Sequence, residues 1–427
     1  MILAYRILTT LLYPLLFIFL FLRILAKKED LNRFKEKILP THFNVKKKVN
    51  TKLIWFHAAS IGEFKSVIPI IEQLSINNSN LRYLITTTTL SSASLASVEL
   101  KKFENIEHRY FPFDVPFLID RFLYLWRPDN IFLVDSEVWP NLILKSKKYN
   151  IPIALLNGRL TQKSLNRWLI FPNTAKKIFG KFALCLCSNI ATKKFLEKLN
   201  IKNVYFEGNI KLINLLNNKE SENKNQNIFL NERFWLAAST HRDEDIFCLK
   251  THLEIKKKYK KIITLIAPRH IDNVEKIKLL AEKLNLKVQI LNKNETILSD
   301  KEIIIINYFG ALNEFFKNTK SVFIGKSMVR KIKNQGGQNP LEAVKFGCKI
   351  YHGPYVYNFE DIYKILKEKN IGKKIVDHKE LSFELIRDLQ NPLKESNLAP
   401  NSIKIYSQKT LFNSMRLIEN FLKNEIN

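Results

Sequence analysis

Glycine is scarce in this chain, 11 of 427 residues, and no Gly-x-Gly-x-x-Gly fingerprint follows the first strand-like run of either half. That argues against the pyrophosphate cradle of a dinucleotide dehydrogenase. Cysteine is scarcer still: Cys185, Cys187, Cys248 and Cys348 follow no metal-ligand spacing. The first two alternate within the apolar run from Phe182 to Cys187, as core strand residues do. No zinc spacing, helix-turn-helix signature or aromatic-interleaved basic ribbon occurs, so a nucleic-acid partner is not expected. Acidic residues are also in deficit, 40 against 69 basic ones, giving a net charge of +29. Such an excess points to a polyanion, and an anionic membrane surface and a phosphorylated substrate remain as candidates.

The N-terminus favours the membrane. Ile7 to Leu22 carries no charge, is flanked by Arg6 and Arg23, and is followed by Lys27, Lys28, Arg33, Lys35 and Lys37. This run is slightly short for a ~30 Å hydrocarbon core, but Met1 to Tyr5 and snorkelling arginines extend its reach. Residues 1–26 therefore read as a single membrane-anchor helix. No small-x-small cleavage site follows, and the basic flank on the C-terminal side puts the body of the protein in the cytoplasm, at an inner membrane surface.

Beyond Val49, β-branched runs alternate with helical stretches in a βαβ rhythm, the signature of doubly wound α/β domains. Strands are predicted at Lys52 to His57, Leu81 to Thr86, Ile131 to Val134, Pro152 to Leu156, Ala183 to Cys187 and Asn203 to Phe206. A second series runs Phe234 to Ala238, Ile262 to Ile266, Lys287 to Leu291, Glu302 to Ile306, Ser321 to Ile324 and Cys348 to Tyr351. The expected organisation is an N-terminal Rossmann-like domain over 27–216, a polar linker over 217–227 and a C-terminal Rossmann-like domain over 228–400, the two facing a cleft. A helix over 401–427 is expected to pack back on the first domain.

Unusual polar residues cluster just past the C-terminal ends of these strands, where open parallel sheets bind ligands. Glu63 stands in the first turn of the helix after His57-Ala58-Ala59-Ser60. The helix dipole is expected to hold its carboxylate ionised, ready to take a proton from an attacking hydroxyl. An ordinary capping glutamate is the competing account. Asp135-Ser136-Glu137 follows the Ile131 strand, with a metal-free role for Glu137 preferred to an Asp-x-Asp metal site. Gly208-Asn209-Ile210-Lys211 and Pro268-Arg269-His270 each bring a cation to a strand end, suited to phosphate or carboxylate. In Gly336-Gly337-Gln338-Asn339-Pro340-Leu341-Glu342 the glycines permit close backbone approach to a ligand, Asn339 caps a helix and Pro340 takes its first position. That opening turn is expected to serve a phosphate, with Glu342 accepting from sugar hydroxyls.

These phrases, together with Ser136-Glu137-Val138-Trp139-Pro140-Asn141, Ser239-Thr240-His241, Gly353-Pro354 and Asn358-Phe359, resemble in order and spacing those of the 3-deoxy-D-manno-octulosonic acid (Kdo) transferases. The resemblance covers nearly the whole chain. It implies a GT-B fold and an inverting transfer of Kdo from CMP-Kdo to a lipid A precursor in lipopolysaccharide synthesis, with no cofactor. By matching motif it implies Glu63 as general base and Glu137 and Lys211 as transition-state stabilisers. CMP-Kdo would contact Pro268, Arg269, Phe309, Gly310, Ala311, Asn339, Pro340, Leu341 and Glu342. The chain departs from the family pattern at Gln338, where His is usual, at Ala311, where a carboxylate is usual, at Asp135, where Glu is usual, and at Lys326, where Gly is usual. Another membrane-associated GT-B transferase with a different nucleotide sugar is the alternative.

Overall fold

A computed structural model describes residues 1–43, 45, 51–78, 80–216, 229, 232–308, 310–330, 336–391, 394 and 398–423. The predicted linker over 217–227 and the predicted ligand residue Phe309 lie outside the described residues. The chain divides into two compact units, Met1–Asn214 with Ser407–Asn427, and Leu215–Tyr406.

The first unit holds β1 (Lys52–His57), β2 (Leu81–Thr87), β3 (Ile106–Tyr110), β4 (Asn130–Val134), β5 (Ile153–Gly158), β6 (Leu184–Cys187) and β7 (Val204–Tyr205). They form one parallel sheet in the order β3-β2-β1-β4-β5-β6-β7. The second unit holds β8 (Arg233–Thr240), β9 (Ile262–Pro268), β10 (Val288–Leu291), β11 (Ile303–Ile306), β12 (Ser321–Ile324), β13 (Lys349–His352) and β14 (Gly372–Lys374), again parallel, in the order β10-β11-β9-β8-β12-β13-β14. Runs such as Ile303–Ile306 and Asn130–Val134 are buried throughout, because crossover helices cover both faces of a parallel sheet. Trp55 and Phe122 lie in one core, and Trp235 and Phe323 in the other. The chain reverses direction across each sheet between two strands adjacent in space, β1 and β4 in one unit and β8 and β12 in the other. Ligands of doubly wound sheets bind at such switch points.

Two strands escape the sequence pattern. β3 is an edge strand reading Ile-Glu-His-Arg-Tyr, with little apolar content, and β14 has three residues, two of them lysine.

The expected single anchor helix is not formed. Ile2–Leu11 and Tyr13–Leu25 are two helices bent by 58°, and among the described residues no single helix is long and apolar enough to cross a membrane. Pro14 in the first turn of the second helix lacks an N–H to continue the ladder, which accounts for the break. Nor does Tyr5 extend an apolar span. Its hydroxyl donates to Asp114 at 2.9 Å, while the Tyr13 hydroxyl donates to the Ile38 carbonyl at 2.8 Å and its ring meets Phe117 edge-on. The pair is thus seated on the first unit, leaving Leu3, Leu11, Leu15, Ile18, Phe21 and Leu25 exposed.

The segment after it forms a strap over the β3 edge. Arg33 forks onto Glu36 and donates to the His108 carbonyl at 3.0 Å, and Glu36 accepts from the Tyr110 N–H at 2.9 Å. Lys37 pairs with buried Glu29 and donates to the Thr88 carbonyl. The C-terminal helix Asn401–Leu422 reaches the first unit, where Phe421 meets Phe132 edge-on and Asn413 donates to Glu207.

Candidate active site

At the switch point of the first sheet, β1 delivers His57 and the turn to Glu63, while β4 delivers Asp135 and Glu137. Ser60 caps the helix Ile61–Asn77 by accepting from the Glu63 N–H. The Glu63 carboxylate reaches back, one oxygen accepting from the Ser60 hydroxyl and the other from the Ala59 N–H, both at 2.8 Å. This is a Ser-x-x-Glu capping arrangement. Glu63 is nevertheless not held ionised as the helix dipole alone would have it. Burial, reinforced by the charges of Asp135 and Glu137, pushes its carboxyl up to about 7, against the lowering influence of Ser60 and Lys211. Desolvation outweighs the helix terminus because the group is only 7% exposed.

Glu137 is gripped from one side. One carboxylate oxygen accepts from the Trp139 indole N–H at 2.8 Å and lies 3.3 Å from the His57 Nε2, out of hydrogen-bond alignment. The His57 Nδ1 meets the Thr86 hydroxyl at 2.9 Å, and its ring stacks on Phe111 with centroids 3.9 Å apart. Lys211 pairs with Asp135 rather than with Glu137. It is brought there by Asn157, whose Oδ1 accepts from the Ile210 N–H at 3.0 Å. Asp135 and Asn157 both adopt left-handed backbone angles, φ 64° and 58°, unusual for residues other than glycine. The three residues predicted to act in transfer, Glu63, Glu137 and Lys211, are therefore brought together. Among the described residues no group of three or more His, Cys, Asp or Glu is arranged to hold a metal ion.

In the second unit, the ends of β8, β9 and β12 gather His241, Arg269, His270 and Lys326. Arg269 and His270 are exposed, and the Arg269 N–H donates to the Thr240 carbonyl. Burial, followed by the nearby charges of Lys326, His270 and Arg269, lowers the His241 pKa although the Ser239 carbonyl opposes it. An open pocket of about 580 Å3 is lined here by His241, Arg242, Asp243, His270, Asp272, Asn273 and Val329. Pro268 closes β9, and Gly310 opens the turn after β11 with φ 83° and no atom within 4 Å of where a Cβ would stand. Ala311 is buried, and Glu314 accepts from the Tyr308 hydroxyl at 3.1 Å.

Two expectations change. The helix after Pro340 is Leu341–Lys345, five residues long, with Pro340 at its cap and Asn339 accepting from the Leu341 N–H, so its dipole is small. Gly336 and Gly337 pack against the chain itself: a Cβ on Gly336 would lie 2.4 Å from the Tyr355 carbonyl oxygen, and one on Gly337 2.9 Å from the Val356 Cα. Lys326, where the family pattern has Gly, adopts the left-handed conformation that glycine would take, φ 59°.

Sequence reasoning passed over Glu244. This buried carboxylate, beginning the helix Glu244–Lys258, accepts four backbone N–H groups: His241 and Lys326 on one oxygen at 2.9 and 2.6 Å, Ser327 and Met328 on the other at 2.8 and 2.9 Å. It pins the β8 and β12 loops together at the second switch point. The signal was the acidic pair Glu244-Asp245 directly after a motif loop, which resembles routine helix capping.

Residues 32–214 match the family model described as 3-deoxy-D-manno-octulosonic-acid transferase (kdotransferase). The 3-deoxy-D-manno-octulosonic acid transferase of Rickettsia bellii is 29% identical over 98% of this chain and 99% of its own length. That of Haemophilus influenzae is 30% identical over 74% of each chain. The solved UDP-GlcNAc 2-epimerase of Neisseria meningitidis bound to UDP-GlcNAc superposes with a TM-score of 0.56 at 15% identity, covering 87% of this chain and 100% of that one, a likeness of fold.

Proposed function

Since this chain belongs to the Kdo transferases, glycosyltransferases of GT-B fold, we propose that it moves Kdo from CMP-Kdo to a lipid A precursor with inversion, Glu63 acting as general base. The observation that carries this reading is the buried Glu63 carboxyl, pushed up to about 7 beside Glu137 and Lys211 at the first switch point. A base of that pKa takes a proton most effectively near neutral pH. The acceptor hydroxyl oxygen attacks the anomeric carbon of Kdo as Glu63 removes its proton. The bond from that carbon to the CMP phosphate breaks, and the electron pair leaves with CMP. Positive character at the carbon is met by the carboxylate of Glu137, held by Trp139 and His57. Negative charge gathering on CMP is met by Arg269 and its cationic neighbours, with Pro268, Gly310, Ala311 and Asn339 to Glu342 around the nucleotide. Lys211, paired with Asp135, helps Glu137 to stabilise the transition state.

The acceptor carries phosphates on a lipid, which suits a chain of net charge +29. The exposed apolar face of the N-terminal helix pair rests in the inner membrane, with the following lysines keeping the body on the cytoplasmic side. Detergent-solubilised protein, given tetra-acylated lipid A precursor and CMP-Kdo, is expected to add Kdo-sized masses by mass spectrometry. A folded, CMP-binding preparation that adds none, yet accepts another nucleotide sugar, would overturn the donor.

The raised Glu63 pKa fixes the sign of the pH dependence. The base works only when deprotonated, so kcat/KM is expected to climb about tenfold per pH unit below about 7 and to level above it. A profile already flat from about pH 5 upward would remove Glu63 from the role, because an unshifted carboxyl titrates near 4.3.

A further inference from the structure

Asp114 lies in the loop after β3, is 5% exposed, and takes no part in the chemistry above. Its contacts run in two directions. Oδ2 accepts from the Tyr5 hydroxyl and from the Asn141 N–H, both at 2.9 Å, and Oδ1 accepts from the Leu142 N–H at 2.9 Å. The Asn141 side-chain amide donates to the Asp114 carbonyl and approaches the Thr9 hydroxyl at 3.4 Å. Tyr5 and Thr9 belong to the N-terminal helix Ile2–Leu11, whereas Asn141 and Leu142 open the helix Pro140–Lys148. That helix has no side-chain cap from its own N-cap residue, Trp139. Asp114 supplies the missing cap from a distance, satisfying two N–H groups that would otherwise be orphaned.

The helix so capped is the far anchor of the loop bearing Glu137. Its near anchor is the sheet, where the Asp135 N–H donates to the Leu156 carbonyl. Between the two, Trp139 reaches back to the Glu137 carboxylate. A shift of the Asn141 end moves Trp139, and with it the Glu137 carboxylate that Trp139 holds. Displacements of about 1 Å at such a group cost up to about a hundredfold in rate.

We propose that Asp114 is a positioning residue that couples the seating of the N-terminal helix to the placement of Glu137, so that the apolar helix is part of the catalytic arrangement and not only a tether. The inference rests on the role given to Glu137 above. Its physical content, a mechanical link from Tyr5 to the loop over 136–142, is independent of the reaction.

The test uses the full-length chain in detergent. Tyr5→Phe removes one hydroxyl from Asp114; Tyr13→Phe removes the equivalent hydroxyl bond from the second N-terminal helix to Ile38 and leaves every hydrogen bond of Asp114 in place. Hydrogen exchange read by mass spectrometry on peptides spanning 136–146 is expected to speed up in Tyr5→Phe and to match wild type in Tyr13→Phe. The kcat for Kdo transfer is expected to fall about tenfold in Tyr5→Phe alone, with KM for CMP-Kdo unchanged. Asp114→Asn, which leaves one acceptor oxygen for three donors, is expected to enlarge the exchange effect. Equal exchange and equal kcat in the two tyrosine variants overturns the proposal. Were wild type to transfer no Kdo, the exchange comparison alone would decide: faster exchange in Tyr5→Phe supports the link, unchanged exchange rejects it.

Discussion

Glu63→Gln is expected to lose Kdo transfer by about 10²- to 10⁴-fold while keeping CMP-Kdo affinity and thermal stability. The structure makes this a sharp comparison because Glu63 has two jobs. As a cap it accepts from Ser60 and Ala59, and glutamine can reproduce both contacts: its Oε1 accepts from the Ala59 N–H, and its amide donates to the Ser60 oxygen once that hydroxyl rotates. As a base it must accept and carry a proton, which an amide does not do. Burial already disfavours the ionised carboxyl, so a neutral isostere relieves a desolvation cost above pH 7. A melting temperature equal to or above wild type, together with inactivity, separates the two jobs. If Glu63 were only a cap, turnover would stay near wild type, and that outcome would sink the base assignment.

Glu244→Gln is expected to be the most destabilising single-atom exchange in the second unit. Four backbone N–H groups converge on its carboxylate, and glutamine keeps an acceptor for only two of them. The other two would face an amide that itself donates. Leaving buried donors unsatisfied costs about 1–3 kcal/mol each, so roughly 2–6 kcal/mol follows for the pair. The consequence reaches the ligand. The β8 and β12 loops carry His241 and Lys326, and with the pin weakened the cations near Arg269 lose their arrangement, so CMP affinity is expected to fall along with the melting temperature of the second unit. A variant that melts like wild type and binds CMP unchanged would show that the four N–H groups find other partners.

The sheets were legible because parallel strands buried on both faces are nearly uninterrupted apolar runs: Ile303–Ile306 and Asn130–Val134 could hardly be anything else. β3 was not legible, since an edge strand whose His108 and Arg109 side chains meet Arg33 and Glu36 has no need of apolar residues. Glu63, Glu137 and Lys211 stood out as polar residues at strand ends, where position in the fold predicts chemistry. Their mutual electrostatics was hidden. Neither the pairing of Lys211 with Asp135 nor the raised Glu63 pKa follows from spacing, because both depend on contacts between residues more than 70 positions apart. The glycines of Gly336-Gly337 misled for a related reason. Close backbone approach was rightly inferred, but the approaching partner is Tyr355 and Val356 of the same chain. The N-terminal run was judged by hydropathy, which is blind to where Pro14 breaks a helix and to Tyr5 finding Asp114.

The strap over β3 bears on how this protein survives at high local concentration. An edge strand ordinarily offers a row of free amides and carbonyls to which any passing strand can add, a route to aggregation. Here the outward-facing Tyr110 amide and His108 carbonyl are already occupied by Glu36 and Arg33. The guard is supplied by the segment that follows the apolar helices. A cut after Leu25 leaves the guard in place, whereas a cut after Ile38 bares the edge and invites fibrous association of an otherwise intact sheet.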